Sequence, residues 1–108
     1  MTNITFIKNK SNIIGFMCEG HTNFANHGED IVCASVSAIT QTTAMGLMQV
    51  LNIECKYKIN NKKGSLECWL PDNCTKVKEA QILLNTALIA LNDLEKGYPT
   101  NIKVEVKN

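Results

Sequence analysis

One segment without charged side chains, residues 31 to 53, limits what this chain can fold into. Its length would allow a membrane-spanning helix, which needs about 20 apolar residues. Hydroxyl and amide side chains interrupt the segment, however, at Ser35, Ser37, Thr40, Gln41, Thr42, Thr43 and Gln49. We therefore predict no membrane span and no membrane partner.

The apolar residues of this segment recur at helical spacing and predict the first of two helices. They are Ile31, Ala34, Ala38, Met45, Met48 and Leu51. We expect the helix to begin near Asp30, which can act as N-cap, and to end near Asn52. Because the helix is uncharged all round, more than one of its faces should be covered. Either two copies of the chain meet along residues 31 to 51, which we favour, or the helix is buried between the sheet and the second helix.

Alternating apolar and polar residues predict two hairpins and a last strand. The strands are expected at residues 3–8 and 13–19, at 53–59 and 66–70, and at 102–106. A second helix is expected from Thr75, its cap, to Lys96, with Gly97 and Pro99 marking its end. Its apolar stripe comprises Ala80, Leu84, Ala87, Leu88, Leu91 and Leu94. The prediction is a single α+β domain, residues 1–108, with a mainly antiparallel sheet and two helices in the order β-β-α-β-β-α-β.

Composition narrows the class of function. The chain has 108 residues and a formal net charge of +1, which offers no basic surface for nucleic acid. The lysines between residues 56 and 63 are flanked by Glu54 and Glu67, so we interpret them as a solvated hairpin. The first ten residues lack the pattern of a secretion signal. Five cysteines, an odd number without paired spacing, indicate a reducing compartment. We therefore predict a cytoplasmic protein without a nucleic-acid partner.

Residues 20 to 37, GHTNFANHGEDIVCASVS, hold the side chains that could carry chemistry. Cys33 would be in the first turn of the helix if Asp30 is the N-cap, and the unpaired N–H groups there favour a thiolate. Such positions lower a cysteine pKa from about 8.5 to roughly 3.5–7.5. The same N–H groups could bind the oxyanion that forms on an attacked carbonyl. His21 could take the thiol proton and return one to a leaving amine.

The neighbours of this pair leave alternatives open. Asp30 either caps the helix, where its charge opposes ionisation of Cys33, or turns to orient His21. Ser37 lies one helical turn beyond Cys33, so its hydroxyl could bond the helix backbone or reach the sulfur. On composition alone, Cys33 is more often a buried core residue and His21 a solvated loop residue. The spacing of His21, His27 and Cys33 matches no standard zinc site, so we predict no metal.

The remaining cysteines are predicted to be structural. Cys18, Cys55 and Cys68 fall on the apolar phase of their strands and should be in the core. Cys74 lies just before the second helix and could be exposed. Trp69 is off the apolar phase of its strand, and we expect a packing role for it rather than a place in a pocket.

The block around His21 and Cys33 closely resembles the signature of the ribosomal-processing cysteine protease Prp family. The likeness rests on Gly20-His21, a short loop, the residues GEDIVCA at 28–34, and Val36-Ser37, and it extends over nearly the whole chain. Thr22 and Ser35 stand where the family usually has alanine.

The resemblance implies a bacterial endopeptidase that removes the N-terminal extension of large-subunit ribosomal protein twenty-seven, which would be its peptide partner. By this resemblance Cys33 is the nucleophile and His21 its general base, while Gly20, Asp30 and Ser37 support the site. It also implies a homodimer. No cofactor is required by this chemistry.

The segment between Gly20 and the start of the helix is a candidate lid over the substrate. Its residues are Thr22, Asn23, Phe24, Ala25, Asn26, His27 and Gly28. Two other functions remain open for this chain. One is a non-catalytic ribosome- or peptide-binding module of the same fold, and the other is a thiol redox sensor at Cys33.

Overall fold

The computed structural model describes residues 1–20, 27–60, 62 and 64–108, and for residues 27–30 the backbone only. In these residues the chain forms two α-helices, a short π-helical segment and five strands. Their bounds are β1 (Thr2–Asn9), β2 (Asn12–Glu19), α1 (His27–Met45), the π-helical segment (Gly46–Val50), β3 (Lys56–Asn60), β4 (Ser65–Trp69), α2 (Val77–Gly97) and β5 (Ile102–Lys107). The order β-β-α-β-β-α-β confirms the predicted α+β class.

In the described part of the chain the strands form one sheet, in the order β3-β4-β2-β1-β5. β2 runs antiparallel to both of its neighbours, β1 and β4, and β3 runs antiparallel to β4. β5 pairs with β1 in parallel, in a register that begins at Thr2↔Ile102 and ends at Ile7↔Lys107. The sheet is therefore mixed but mainly antiparallel, as predicted.

A fully buried part of the core lies where β1 and β2 face the helices. Ile4, Phe6 and Phe16 are at most 1% exposed. The ring centroids of Phe6 and Phe16, which are cross-strand partners, are 5.6 Å apart. Because side chains alternate between the two faces of a strand, the period of two in the sequence was sufficient to predict these strands.

A β-bulge in β2 fixes α2 to the sheet. Ile7 pairs with Gly15 but Lys8 pairs with Ile13, so β2 holds one extra residue at this point. Ile13 is thereby turned into the core, where it is 0% exposed. The Gln81 amide of α2 accepts a hydrogen bond from the Ile13 N–H at 2.7 Å and donates one to the Ile13 carbonyl at 2.8 Å. Gln81 thus satisfies both backbone groups of a buried residue.

α1 buries one face and exposes the opposite one. Val32 and Val36 are 1% and 2% exposed, whereas Ile31 and Met45 are 51% and 50% exposed. In a single chain, burial between the sheet and α2 therefore leaves part of α1 exposed. The residues Ile31–Val50 have the length and the mean hydropathy, 1.4, of a membrane-spanning helix. A core helix with one buried stripe can have the same length and mean hydropathy, so these two properties do not decide whether the helix crosses a membrane.

α1 continues into the π-helical segment, which allows a close approach between the helices. The Leu51 N–H donates to the Gly46 carbonyl at 3.0 Å, the wider i→i+5 spacing. A Cβ on Gly46 would lie 2.9 Å from a terminal methyl group of Leu83 of α2, so the Leu83 side chain would have to shift for a larger residue. The Lys76 ammonium group donates to the Leu51 carbonyl and stabilises this helix end.

Some predicted boundaries are wrong by one to three residues. α2 begins at Val77, and its N-cap is Lys76, whose side chain makes no capping hydrogen bond in the described structure, so Thr75 is not the cap. Gly97 is the last residue of α2, close to the predicted end. Cys55 lies just before β3 rather than in it, but it packs against the core as expected.

Trp69 packs on the face of the sheet that points away from the helices. It is the cross-strand partner of Gly15, and a Cβ on Gly15 would overlap the indole ring. The indole N–H donates to the Glu67 carboxylate at 3.1 Å. The predicted packing role of Trp69 is confirmed, and Gly15 is the residue that makes room for it.

Candidate active site

The site begins at Gly20, where the chain leaves the central strand. Gly20 has φ +100°, a conformation that residues with a side chain rarely adopt, and a Cβ there would overlap the Met1 carbonyl oxygen. The Thr2 hydroxyl donates to the Gly20 carbonyl at 3.2 Å. These contacts require glycine at this position and hold the residue that directly precedes His21 in the chain.

His21 itself lies outside the described residues, as do Thr22, Asn23, Phe24, Ala25 and Asn26. The structure therefore does not test the predicted base or most of the predicted lid. His27 and Gly28, which were assigned to the lid, belong to α1 instead, because that helix begins at His27. These two residues are therefore helical rather than part of a loop, and their role over the substrate stays a prediction.

The start of α1 also corrects the expected role of Asp30. Asp30 is the fourth residue of α1, so it is inside the helix and cannot be its N-cap. Cys33 is the seventh residue, beyond the first turn. Since only the first four N–H groups of a helix lack an intrahelical acceptor, the N–H of Cys33 is not available to an oxyanion. The side chain of Asp30 is not described, so its other proposed role, orienting His21, stays a prediction.

Cys33 lies next to the end of β2. It is half-buried, and it is close enough to Cys18 for the two thiols to interact electrostatically. Burial, then the negative charge of an ionised Cys33, then Glu19, raise the pKa of Cys18 to about 11. Cys18 is 9% exposed, which confirms its predicted place in the core. The structure thus brings Cys33 to the strand that ends one residue before Gly20.

Ser37 follows Cys33 by one turn and is exposed. It lines a cavity of about 260 Å³ between α1 and the β3–β4 hairpin. The described lining residues are Cys18, Ser37, Thr40, Gln41, Ile59, Asn60, Gly64, Ser65 and Leu66. The hairpin residues were missed as part of a site, although strand alternation places Ile59 and Leu66 on the face that Cys18 occupies.

The other cysteines are in different surroundings. Cys68 is 1% exposed, and its thiol interacts by a hydrogen bond with that of Cys55. This hydrogen bond lowers the pKa of Cys55 and raises that of Cys68, whose burial raises it further. Cys74 is half-buried beside Pro71, next to the start of α2. A thiol that is buried in apolar surroundings, such as that of Cys68, is a poor candidate for attack on a peptide.

The described residues contain no group of three or more His, Cys, Asp or Glu side chains that could hold a metal ion. This does not test the alternative site at His21, His27 and Cys33, because the two histidine side chains are not described.

Comparison with known proteins gives the family. The family model described as cysteine protease Prp matches residues 1–103. The chain is 29% identical over 94 residues to the ribosomal processing cysteine protease Prp of Bacillus subtilis strain 168, covering 85% of this chain and 84% of that protein. It is 25% identical over 101 residues to the protein of the same name from Staphylococcus aureus strain Mu50, covering 94% and 93%.

Solved structures share the fold. The essential ribosomal processing protease Prp from S. aureus, in complex with a substrate peptide, superposes with a TM-score of 0.88 at 24% identity, over 99% of this chain and 100% of that one. SMU.848 from Streptococcus mutans superposes with a TM-score of 0.90 at 22% identity, over 100% and 96%. Because the family model covers nearly the whole sequence, this chain belongs to the cysteine protease Prp family, and it is a cysteine protease of ribosomal processing.

Proposed function

From this family membership we propose that the chain is an endopeptidase that removes the N-terminal extension of bacterial large-subunit ribosomal protein twenty-seven. Cys33 is the nucleophile and His21 the general base. The observation that carries the proposal is the position of Cys33, half-buried on α1 beside the strand whose end leads directly to His21.

The surroundings of the five cysteines favour Cys33 as the nucleophile. Cys18 and Cys68 are buried and have raised pKa values, so their thiolates are scarce at neutral pH. Cys55 is hydrogen-bonded through its side chain to Cys68 and is not among the described residues that line the cavity beside α1. Cys74 lies beside α2, next to Pro71 and Lys76, and does not line the cavity that Ser37 lines. Cys33 alone combines partial exposure with a place next to the end of β2.

The reaction follows from these roles. His21 takes the thiol proton, and the Cys33 sulfur bonds to the peptide carbonyl carbon, whose double-bond electrons move to the oxygen. When the carbon–nitrogen bond breaks, His21 gives its proton to the leaving amine, and water activated by His21 then hydrolyses the thioester. The free N–H groups of α1 are those of its first turn, before Cys33, so we expect the carbonyl oxygen to point toward the start of the helix.

The substrate assignment is supported by the relatives. Two curated relatives are described as ribosomal processing proteases, and a structural neighbour from S. aureus is described in complex with a substrate peptide. A non-catalytic peptide-binding module of the same fold is the second candidate, and both would use the groove beside Cys33.

A cleavage assay by mass spectrometry tests the proposal. The purified protein, Cys33→Ser and the control Cys74→Ser are incubated with N-terminally extended ribosomal protein twenty-seven from the same bacterium. We expect one cut by the wild type and by Cys74→Ser, and a loss of roughly 10⁴-fold or more in Cys33→Ser. If none of the three proteins cuts but all bind the precursor, the binding module replaces the protease.

Alkylation kinetics test the base. Iodoacetamide should modify Cys33 rapidly in the wild type and slowly in His21→Ala, since only the thiolate reacts. Modification of Cys33 at equal rates in both proteins would remove His21 from its proposed role. Reversible oxidation of Cys33 in a protein that cuts no peptide would favour the redox sensor instead.

We also propose that the protein is a cytoplasmic homodimer whose copies meet along residues 31 to 51. Ile31 and Met45 of α1 are 51% and 50% exposed, and no charged residue lies between 31 and 53. Sedimentation should give a dimer for the wild type and for Val106→Asp, which changes a β5 residue that is 46% exposed, and a monomer for Met45→Asp. A monomeric wild type at micromolar concentration would refute the dimer.

A further inference from the structure

We propose that Cys55 and Cys68 form a second reactive site, a dithiol at which a small hydroperoxide oxidises Cys55 and Cys68 then closes a reversible disulfide with it. The site uses neither Cys33 nor His21, so it does not rest on the proposed cleavage of a peptide. The chemical class of its substrate is a hydroperoxide, such as hydrogen peroxide.

The first argument is the contact between the two side chains. β3 and β4 pair antiparallel, and the cross-strand partner of Cys68 is Tyr57. Cys55 precedes Tyr57 by two residues, and both pack against the core that contains Cys68. Because residues i and i+2 share one face of an extended chain, Cys55 is a diagonal neighbour of Cys68 on that face. A hydrogen bond joins the two thiols.

The second argument is the difference in access. β3 is an edge strand of the sheet, and Cys55, directly before it, is half-buried. Cys68 lies on β4, one strand further in, and is 1% exposed. A small oxidant can therefore reach the Cys55 sulfur, while burial shields Cys68 from direct attack. An accessible thiol with a second thiol beside it is the arrangement that allows reversible oxidation to a disulfide.

The third argument is the state of the two protons. The Cys68 S–H donates to the Cys55 sulfur, and this hydrogen bond lowers the pKa of Cys55. The same hydrogen bond, followed by burial, raises the pKa of Cys68. Since the thiolate is the form that attacks an oxidant, Cys55 is the attacking thiol, and Cys68 keeps its proton until the second step.

The oxidation proceeds in two balanced steps. The Cys55 sulfur bonds to one oxygen of the hydroperoxide, the O–O bond breaks, and the leaving oxygen takes the proton that Cys55 has released, which gives a sulfenic acid and an alcohol or water. The Cys68 sulfur then bonds to the Cys55 sulfur, the S–O bond breaks, and the hydroxyl leaves as water with the Cys68 proton. The two thiols together lose two electrons, which the hydroperoxide gains.

The backbone at Cys55 can adjust to this closure. The described β3–β4 ladder begins at Lys56↔Trp69, so Cys55 lies outside it. The Cys55 N–H donates to the Ile53 carbonyl at 2.9 Å rather than across the sheet. A disulfide requires the two sulfur atoms to move from hydrogen-bond contact to bonding distance. Movement of Cys55 makes this possible without the loss of a strand pairing.

Disulfide mapping by mass spectrometry tests the site. The reduced protein is treated with hydrogen peroxide, and the remaining thiols are blocked with N-ethylmaleimide. A protease that cuts after Asp and Glu then places each cysteine in a different peptide, because acidic residues separate all successive cysteines. We expect a link between peptides 55–67 and 68–72, and we expect dithiothreitol to reverse it.

Three variants separate the roles of the thiols. In Cys55→Ser, oxidation of Cys68 should be at least about tenfold slower than that of Cys55 in the wild type, because Cys68 is buried. In Cys68→Ala, Cys55 should accumulate as a sulfenic acid that dimedone traps. The matched control is Cys74→Ser, which removes another half-buried thiol and should form the link at the wild-type rate.

Two results would overturn the proposal. One is a wild type in which hydrogen peroxide oxidises Cys74 as fast as Cys55 and no link forms between Cys55 and Cys68. The other is trapping of the Cys55 sulfenic acid to the same extent in the wild type and in Cys68→Ala, since Cys68 would then resolve nothing. Urea denaturation establishes that Cys68→Ala is folded, and if it is not, the mapping of the wild type and of Cys55→Ser decides.

Discussion

Two regions of the sheet differ in how deeply their residues are buried. One is the packed side, which comprises β1 and β2, and the other is the open side, which is β3. On β1 and β2, Ile4, Phe6, Ile13 and Phe16 are all at most 1% exposed. On β3, which is fully described, no residue is buried, and Ile59 is 49% exposed on the face that points toward the helices. The packed side is held by α2, whose Gln81 bonds the β2 bulge and whose Glu95 carboxylate accepts a hydrogen bond from the Val104 N–H at 3.0 Å.

This difference suggests that one region of the sheet stabilises the fold while the other is open to a ligand. A peptide needs an open surface with unused apolar contacts, whereas a nucleophile needs a rigid support. Cys33 is at the boundary, on a helix whose inner residues Val32 and Val36 are in the core. Cys33, the proposed nucleophile, is therefore supported by the packed side, and the hairpin next to it is exposed.

The largest expected effect comes from a core deletion on the packed side. Phe16→Ala should lower the free energy of unfolding by about 3–5 kcal/mol, because it removes a fully buried ring that packs on Phe6. Ile59→Ala, on the open side, should change it by no more than about 0.5 kcal/mol. Urea denaturation measures both. Similar losses for the two variants would refute the division into a packed and an open side.

The second effect concerns the exit from β2. Gly20→Ala should cost roughly 2 kcal/mol, from the positive φ and from the overlap with the Met1 carbonyl, and it should also reduce cleavage. Gly97→Ala is the control, since a Cβ there meets nothing within 4 Å, and it should be neutral or slightly stabilising. If Gly20→Ala unfolds at the wild-type urea concentration, the positive φ and the close approach of the Met1 carbonyl do not require glycine at this position.

The third effect is at the bulge. Gln81→Ala should cost about 1–2 kcal/mol, because it leaves the N–H and carbonyl of the buried Ile13 without their partners. Asn92→Ala, an exposed change on the same helix, should be nearly neutral. Hydrogen exchange provides an independent check, since the Ile13 N–H should lose protection in Gln81→Ala and keep it in Asn92→Ala.

The sequence predicted the architecture well because strand alternation and the α2 stripe are local signals. It predicted the β1–β2 and β3–β4 hairpins, but not how the hairpins and β5 pair with one another. The parallel β1–β5 ladder brings together the two ends of the chain, and no pattern within either strand names its partner. The bulge was missed for a similar reason, because its stabilising group, Gln81, comes from a distant helix.

The candidate site was predicted less completely. Gly20 and Cys33 stand out in the sequence, but the first turn of α1 contains Gly28 and no apolar stripe, so the helix start was placed at Asp30 rather than at His27. The cavity could not be predicted, since it lies between α1 and a hairpin that are distant in the sequence. The contact between Cys55 and Cys68 also depends on the hairpin register, in which Cys68 pairs with Tyr57.

The smallest expected effect is the pH dependence contributed by Cys18, which lies between the two sides. Its pKa is raised from 9.0 to about 11, so the folded state holds the thiol proton more tightly than the unfolded chain does. The contribution is fully present below the unfolded pKa and is lost as the pH rises from there through about 11. By pH 10 the wild type should have lost about 1 kcal/mol relative to Cys18→Ala, by comparison with pH 8. Urea midpoints at the two pH values give this double difference, and Cys74→Ala supplies the control. A difference near zero would mean that the folded protein accommodates the Cys18 thiolate. The pKa of Cys18 would then be close to that of the unfolded chain.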